Sequence, residues 1–269
     1  MDIKNTTYNN DNMSKILVLY VFHEYNQRVK YFFERCIFKD DNIDFMVISN
    51  NSENTEILNL PSYVKTMRRN NIGYDFGGWS DALLTNELYT NYENFVFVNS
   101  SVIGPFIPRE YTDNWVNIYV NGLKGNIKLF GSTINAICDP LYKPLSQFAM
   151  NKEAFQYSHI QSYIFAMNKE TLLYLIECEI FSITKYAETF ADAVWGKEVL
   201  MSRKVIDNGW NIGSLMSYYQ DVDFTFTTKT PEQYNIRFLG DIMNRGYRNK
   251  VWNEFEVIFV KGNRISSTI

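Results

Sequence analysis

Three short runs of nearly continuous apolar residues constrain the fold of this chain more than any other feature. They read KILVLYVF from Lys15 to Phe22, DFMVIS from Asp44 to Ser49 and FVFV from Phe95 to Val98. Runs of this length are typical of strands that are buried on both faces of a parallel sheet. Segments with helical spacing separate them. This alternation predicts an α/β fold in which a Rossmann-type, mostly parallel sheet is flanked by helices.

Composition and charge exclude several classes of protein. The 269-residue chain has 46% hydrophobic and 16% aromatic residues, which excludes a disordered protein. Its 26 basic and 30 acidic residues leave a net charge of −4, whereas nucleic-acid-binding proteins usually have a basic excess, so we predict no nucleic-acid partner. The two histidines and three cysteines lack the C-x-x-C spacing of a zinc site. Any metal would be a hard cation on oxygen ligands, Mn²⁺ or Mg²⁺.

The first 13 residues differ from the rest of the chain. Residues 1–13 are polar and rich in asparagine, and we expect a disordered leader there. They lack the basic start and apolar core of a secretory signal, and no apolar run approaches the roughly 18 residues of a membrane helix. We therefore expect a cytoplasmic protein, in which any peripheral membrane association would depend on an assembly partner. Residues 14–269 are predicted to form a single domain.

The spacing of apolar residues predicts the remaining elements. The predicted helices are Tyr25–Phe38, a helix that follows the turn of Asn70–Trp79 and runs through Leu84, Lys169–Cys178, and Phe190–Ile206. The further predicted strands are Tyr63–Met67, Trp115–Val120, Ile127–Phe130, Ser162–Met167, Val222–Thr227 and Glu254–Val260.

Polar residues follow the first four predicted strands at the points where they end. His23-Glu24 follows the first strand, Asn50-Asn51 the second, Asn70–Trp79 the third and Asn99-Ser100-Ser101 the fourth. In open α/β sheets, ligands bind at the carboxyl ends of the strands. We therefore expect these four clusters to converge on one edge of the sheet and to form a binding site there.

The third cluster, NNIGYDFGGW, is a glycine-rich turn that leads into a helix. Gly73, Gly77 and Gly78 allow a ligand to approach the backbone, and a helix N-terminus attracts phosphate. The spacing is neither that of a dinucleotide-binding turn nor that of a P-loop, and a tight structural turn is the alternative. Asp75 either binds a ribose or sugar hydroxyl or caps the helix.

Two further segments contain candidate binding or catalytic residues. A strand that ends in short polar residues is the place where nucleotide-sugar transferases carry an Asp-x-Asp metal motif, and here that place reads Asn99-Ser100-Ser101. These neutral groups are poor ligands for a divalent cation. They can bind a phosphate or a sugar, or form a plain polar turn. Glu198, on the predicted helix Phe190–Ile206, can act as a general base if it faces a cleft, or it is an ordinary surface residue.

Three late residues complete the candidates. His159 precedes a predicted strand and either reaches the cleft or is a buried structural group. Lys261 and Arg264 lie beyond the last predicted strand, where two cations suit a diphosphate or form a solvated basic tail. The chain has no G-x-S-x-G elbow, so a serine hydrolase lacks support.

Five motifs, in order, resemble those of one family. NNIGYDFGGW followed by FVFVNSSVIGPF is similar to the paired signature of the rhamnan synthesis F type glycosyltransferases, N-x-G-R-D and then a strand with N-D-S-x-x-G-P. HIQSYIFAMNKETL, KEVLMSRKVIDNGWNI and EFEVIFVKGNR resemble three later segments of that family. Together the matches are spread over most of residues 15–265.

The resemblance implies a GT-A-like domain, with residues 14–110 as its nucleotide-binding half and residues 111–269 as its acceptor-binding half. It implies a nucleotide-diphosphate sugar as donor, a glycan acceptor and Glu198 as base. By position, the donor would be lined by Asn71, Gly73, Asp75, Asn99, Ser100, Ser101, Lys261 and Arg264. His159 and Gln161 would contact the acceptor, and Asn99 and Ser101 would take the metal position. Tyr74 stands where the family has Arg, and Ser100 stands where it has Asp. Both replacements remove charge near the expected diphosphate, so a requirement for a metal ion is in doubt.

The predicted function is therefore transfer of a sugar, such as rhamnose, to an oligosaccharide or polysaccharide hydroxyl during surface polysaccharide synthesis, with inversion. Two alternatives stay open. One is a non-catalytic module that binds a nucleotide-sugar or glycan, because neutral residues replace the metal motif. The other is a retaining transferase or a nucleotide-sugar hydrolase.

Overall fold

The computed structural model describes residues 15–136, 155, 157–236, 241–243 and 252–262. The helices are α1 (Gln27–Arg35), α2 (Tyr74–Leu84), α3 (Trp115–Val120), α4 (Lys169–Glu177), a π-helix (Asp192–Val199) that continues into α5 (Leu200–Asp207), α6 (Glu254–Val257), and the 3₁₀ segments Glu56–Asn59, Thr85–Asn91 and Ser217–Tyr219. The strands are β1 (Ile16–Phe22), β2 (Ile43–Ser49), β3 (Lys65–Arg68), β4 (Asn94–Asn99), β5 (Val102–Ile103), β6 (Ile127–Gly131), β7 (Ile134–Asn135), β8 (His159–Ile160), β9 (Ile164–Asn168), β10 (Asn211–Ser214) and β11 (Val260–Lys261). The predicted leader 1–13, Cys138 and Arg264 lie outside the described residues.

Seven strands of the described chain form one sheet in the order β10-β6-β9-β4-β1-β2-β3. The pairs β1–β2, β1–β4, β2–β3 and β6–β10 are parallel, whereas β9 is antiparallel to both β4 and β6. Strands from both predicted halves of the chain therefore belong to the same sheet. The predicted α/β fold, with a mostly parallel sheet and flanking helices, is confirmed.

Strand β1 lies inside the sheet and is covered on both faces, which explains its unbroken apolar sequence. Every one of its residues is buried. Tyr20 stacks on Phe32 of α1 with ring centroids 3.8 Å apart, while the next residue, Val21, faces Gly78 of α2 on the other side. Because successive side chains of a strand point to opposite faces, both faces of β1 must be apolar.

The prediction of a strand at Trp115–Val120 is wrong, because this segment is the helix α3. The Asn114 side chain accepts a hydrogen bond from the Asn117 amide, which caps the helix. Trp115 and Tyr119, four residues apart, are both buried on its inner side. The Trp115 indole also donates to the Cys36 carbonyl, 3.0 Å away. Capping and tertiary packing outweigh the strand preference of this aromatic and β-branched segment.

The predicted strand at Val222–Thr227 is also absent, since the segment is a series of turns. The Asp223 carboxylate accepts hydrogen bonds from both the amide and the hydroxyl of Thr225. Phe226 has a φ of 50°, which ends any extended conformation. Local side-chain bonds of this kind compete with strand pairing.

The last predicted strand, Glu254–Val260, is in fact two elements. The Asn253 side chain caps the short helix α6, and the backbone then reverses at Ile258, where φ is 64°. Only the end of the segment is extended, as β11, which pairs antiparallel with β5. The alternation of EFEVIFV imitates a strand because both elements bury apolar residues on the same core.

Buried hydroxyl groups hold this C-terminal segment against the sheet. The Ser132 hydroxyl donates to the Val257 carbonyl over 2.8 Å, and Tyr119 donates to the same carbonyl. Tyr163 donates to the Phe259 carbonyl, and the Phe259 ring packs against Trp115. These contacts fix the direction in which β11 leaves the core, and therefore the position of Lys261.

In the part of the chain that the structure describes, no helix combines the length and apolar character that crossing a membrane would require.

Candidate active site

The site lies at the carboxyl edge of β1, β2 and β4, where Asn50 connects three elements. The Asn50 amide donates to the Phe22 carbonyl at the end of β1. Its side-chain nitrogen donates to the Tyr74 carbonyl over 3.0 Å, and its side-chain oxygen accepts from Arg69 over 2.7 Å. The buried Asn50 thus joins the ends of β1 and β2 to the start of α2.

The glycine-rich turn has the special geometry that its sequence predicts. Gly73 and Tyr74 have φ values of 75° and 56°, so two successive residues are left-handed. At Gly77, a side chain would come within 2.0 Å of the Ile72 carbonyl oxygen. A left-handed non-glycine residue costs free energy and persists only where its surroundings enforce it, and the Asn50 bond to the Tyr74 carbonyl does this.

The strained turn places Asp75 beside the end of β4. The Asn99 side-chain nitrogen donates to the Asp75 carboxylate over 2.9 Å. The Asn99 oxygen accepts hydrogen bonds from the amide and the hydroxyl of Ser101. Ser100, between them, contributes its carbonyl oxygen to an arginine described below. The structure therefore brings together four of the predicted donor-site positions, Asp75, Asn99, Ser100 and Ser101.

Asp75 is the carboxylate most affected by this environment. Loss of solvent around the side chain raises its pKa to about 6, and the negative charge of Glu198 acts in the same direction. The hydrogen bond from Asn99 and the positive charge of Lys261 oppose the rise. Glu198 and Lys261 are thus close enough to Asp75 to influence its pKa, although the three residues come from distant parts of the sequence.

Glu198 is held by the backbone rather than by another side chain. Its Oε1 accepts a hydrogen bond from the Ser162 amide over 2.8 Å. One turn later, the Ser202 hydroxyl accepts from the Ile160 amide. Lys197 anchors the other side of the helix by donating to the carbonyls of Glu179 and Lys185. The partly buried Glu198 therefore has a fixed position, with one carboxylate oxygen engaged in its placement.

Two cations lie beside the turn that follows β4. Lys261 is paired with Val102 in the β5–β11 ladder, and the next amide, that of Gly262, donates to the Ser101 carbonyl. Arg28 reaches the same turn from α1, because its Nε donates to the Ser100 carbonyl over 3.2 Å. No carboxylate pairs with Arg28 or Lys261 among the residues that the structure describes.

Arg28 was not predicted from the sequence. Within QRVKYFFER its spacing is that of an exposed helical residue, and no motif distinguishes it from Lys30 or Arg35. Only the position of α1 beside the end of β4 reveals its proximity to the site. By contrast, the neighbouring Arg69 has a structural role, since its guanidinium bonds Asp81, Asn50 and the Ile72 carbonyl.

His159 and Gln161, the predicted acceptor contacts, are buried among other polar side chains. The His159 ring bonds the Tyr157 carbonyl through Nδ1 and the Asn135 side chain through Nε2. Gln161 bonds the Thr133 hydroxyl and Asp241. Their described contacts join β7 and β8 to neighbouring segments. Their predicted contact with an acceptor stays a prediction.

The residues at the Asp-x-Asp position do not suit a divalent cation. The single side-chain oxygen of Asn99 accepts two hydrogen bonds from Ser101, and its nitrogen faces Asp75. Within the described ranges, no three His, Cys, Asp or Glu side chains form a group that could hold a metal ion. Hard cations prefer several carboxylate or carbonyl oxygens, and this cluster does not offer them.

A cavity of about 740 Å³ adjoins the start of α2. Residues 71–74, which include the predicted donor contacts Asn71 and Gly73, line one side, and residues 184–188 line the other. Tyr186 is one of the lining residues, and it is held in place because its hydroxyl donates to Asp81 and its ring contacts Gly73. The site thus combines an edge of carboxylates and cations with an open, partly apolar cleft.

A mostly parallel α/β sheet with such a cluster at its carboxyl edge is typical of ligand-binding proteins of the Rossmann type. The model of the family described as Rhamnan synthesis protein F matches residues 45–243. The chain therefore belongs to the rhamnan synthesis protein F family. Membership of this family indicates, in general terms, that the chain is a transferase that uses nucleotide-sugars in polysaccharide synthesis.

Other comparisons add less. No curated protein matches the sequence. Among solved structures, the chain is similar to a CMP:2-keto-3-deoxy-manno-octonic acid synthetase complexed with CTP, at 14% identity and a TM-score of 0.43, over 74% of this chain and 88% of that one. It is also similar to 4-diphosphocytidyl-2C-methyl-D-erythritol synthase from Anaerococcus prevotii DSM 20548, at 12% identity and a TM-score of 0.42, over 68% and 83% of the two chains.

Proposed function

We propose that this protein is a glycosyltransferase that moves a sugar, with inversion, from a nucleotide-diphosphate sugar to a hydroxyl group of a glycan. Rhamnose is the sugar that the family description favours. The observation that carries the proposal is the convergence of Asp75, Asn99, Glu198 and Lys261 at one edge of the sheet. These residues offer a base and a counter-charge, which are the two groups that such a transfer needs.

The proposed reaction is a single displacement. The acceptor hydroxyl oxygen attacks the anomeric carbon, and a new carbon–oxygen bond forms as the bond to the diphosphate breaks. Glu198 takes the hydroxyl proton through its second oxygen, while Ser162 holds the first. The bonding electron pair leaves with the diphosphate. Fixed cations that face this developing charge lower the barrier.

In this proposal, Lys261 and Arg28 supply the counter-charge on either side of the turn after β4. Both act as cations, and the Ser100 and Ser101 backbone groups between them hold their positions. Asp75, with Asn99 as its donor, would accept a hydrogen bond from a ribose or sugar hydroxyl. The donor set at Asn99 and Ser101 does not fit a metal, and no step of the mechanism uses one.

The test is a screen of nucleotide-sugars by release of free nucleoside diphosphate, with and without a rhamnose oligosaccharide. We expect acceptor-dependent release for one donor, at a similar rate in EDTA and in manganese. A complete requirement for manganese would contradict the cation pair as the counter-charge. Donor binding without release would instead support the non-catalytic module, and acceptor-independent release would support a hydrolase.

Replacement of Arg28 tests the cation pair. Arg28→Ala should raise the donor KM roughly 10- to 100-fold, because a charge-assisted hydrogen bond contributes about 1.5–3 kcal/mol. Arg28→Lys should recover part of the affinity. Arg35→Ala, on the exposed end of the same helix, should leave the KM unchanged. Equal donor KM values for Arg28→Ala and Arg35→Ala would show that Arg28 does not bind the donor.

A further inference from the structure

The carboxylate pair Asp75 and Glu198 is flanked by aromatic side chains that the core does not use. Tyr74 immediately precedes Asp75, and its ring meets that of Phe190 edge to face, with centroids 6.3 Å apart. Phe190 is 72% exposed, the largest exposure of any large hydrophobic residue in the described part of the chain. The Phe190 ring is therefore accessible to a ligand, and it contacts Tyr74, which itself lines the cavity.

A second aromatic pair lies beside Glu198. Trp195 precedes Glu198 by three residues in the π-helix, and it is 37% exposed. Its ring meets that of Tyr157 edge to face at 6.2 Å. The helix therefore contacts residues 157–162 at two points, through Trp195 at one end and through Glu198 at the other. Both side chains face that segment, so the indole and the carboxylate lie on the same side of the helix.

The other tryptophans do not share this exposure. Trp79, Trp115 and Trp252 are buried in the core, and Trp210 is partly buried against Tyr174. The structure therefore separates Trp195 from the tryptophans whose role is packing. The backbone conformation of Tyr74 also favours a binding role for its ring. The hydrogen bond from Asn50 to the Tyr74 carbonyl enforces a left-handed conformation, and this conformation places the ring beside Asp75.

We infer that Tyr74 with Phe190, and Trp195 with Tyr157, form the binding site for the acceptor glycan. This inference rests on the proposed transferase function. The faces of sugar rings that carry C–H groups stack on aromatic rings, and a deoxysugar such as rhamnose adds an apolar methyl group. Rings beside each of the two carboxylates would hold a sugar hydroxyl next to Glu198. These four side chains carry no positive charge, so the occupant is an uncharged oligosaccharide, whereas the diphosphate of a nucleotide needs the cations Lys261 and Arg28.

The chemistry of the Tyr74 side chain fits this assignment. A cation at this position would suit a phosphate, whereas a tyrosine provides a flat apolar face with a polar rim. The neighbouring cavity, lined by residues 71–74 and 184–188, gives space for further sugar units of the acceptor.

The experiment measures glycan binding directly, by calorimetric titration of the full chain with a rhamnose oligosaccharide in the absence of donor. Phe190→Ala and Trp195→Ala should each weaken binding about five- to tenfold, in line with the energy of a single aromatic contact. Phe190→Tyr and Trp195→Phe should restore most of the affinity. Tyr63→Ala is the matched control, because Tyr63 is 39% exposed and precedes β3 at the opposite edge of the sheet.

Tryptophan fluorescence supplies a second, local readout. Saturation with the oligosaccharide should change the emission of the wild-type protein and of Phe190→Tyr, but not that of Trp195→Phe. Unchanged affinity in both alanine variants, or no binding by the wild-type protein, would overturn the inference. Glycan binding that depends on the two rings without any sugar transfer would support the acceptor site and contradict the transferase proposal, so the two failures are distinguishable.

Discussion

The Glu198→Gln variant should lose sugar transfer by about 10²- to 10⁴-fold while it retains donor binding, because a positioned general base contributes a factor of this size. The substitution keeps the shape of the side chain. A glutamine oxygen can still accept the hydrogen bond from the Ser162 amide, so the junction between the π-helix and residues 157–162 should persist. What disappears is the ability to take a proton from the acceptor hydroxyl.

The measurements are kcat for transfer and the Kd for the donor, compared with Glu170→Gln. Glu170 begins α4 at the opposite edge of the sheet and forms an exposed ion pair with Lys128, which contributes little. That variant should behave as wild type. If Glu198→Gln transfers sugar at the wild-type rate, Glu198 is not the base. If it unfolds at a lower temperature and also binds donor poorly, its role is structural.

The Asp75→Asn variant should be more stable than the wild-type protein at pH 7 by about 3 kcal/mol, since each pKa unit is about 1.4 kcal/mol, and yet transfer sugar poorly. The pKa of Asp75 is raised from its ordinary value of 3.8 to about 6 in the folded protein. Between these values the folded state binds more protons than the unfolded state, so the contribution of Asp75 to stability falls as the pH rises. Asparagine removes this cost, and its oxygen can still accept from Asn99.

Chemical denaturation at several pH values tests this directly. The stability gain of Asp75→Asn should be complete above pH 6, decrease between pH 6 and about 4, and vanish below. Asp221→Asn, an exposed aspartate outside the site, should show no gain. Transfer by Asp75→Asn should fall about 10- to 100-fold through the loss of a charged hydrogen-bond acceptor. A variant that is less stable at pH 7 would show that Asp75 is a structural cap instead.

The sequence predicted the edge of the sheet at which the site lies because parallel strands impose a simple rule. Each polar cluster directly follows a buried strand, and the carboxyl ends of such strands meet. Asp75 and Asn99 therefore came together as expected, with a hydrogen bond between them. The long apolar runs are unambiguous for the same reason, since only a strand covered on both faces, such as β1, needs them.

Features that depend on tertiary contacts could not be predicted in this way. Trp115–Val120 has the composition of a strand, and its helical state depends on the Asn114 cap and on the partner that Trp115 finds at Cys36. Arg28 reaches the site only because α1 packs beside the turn after β4. The exposure of Phe190 has no sequence signature, because an apolar residue in a helix is normally expected in the core.

The hydroxyl groups of Tyr119, Ser132 and Tyr163 that hold the C-terminal segment have a consequence for how the site is assembled. Lys261 pairs with Val102, far earlier in the chain. The sheet made by β1 to β4, with Arg28 of α1 beside it, can therefore form while Lys261 is still missing, since contacts between distant parts of a sequence form late. Detachment of residues 252–262 by local unfolding would leave the carboxylates in place with Arg28 but without Lys261. Such a state would retain a folded sheet and stabilise a departing diphosphate less well.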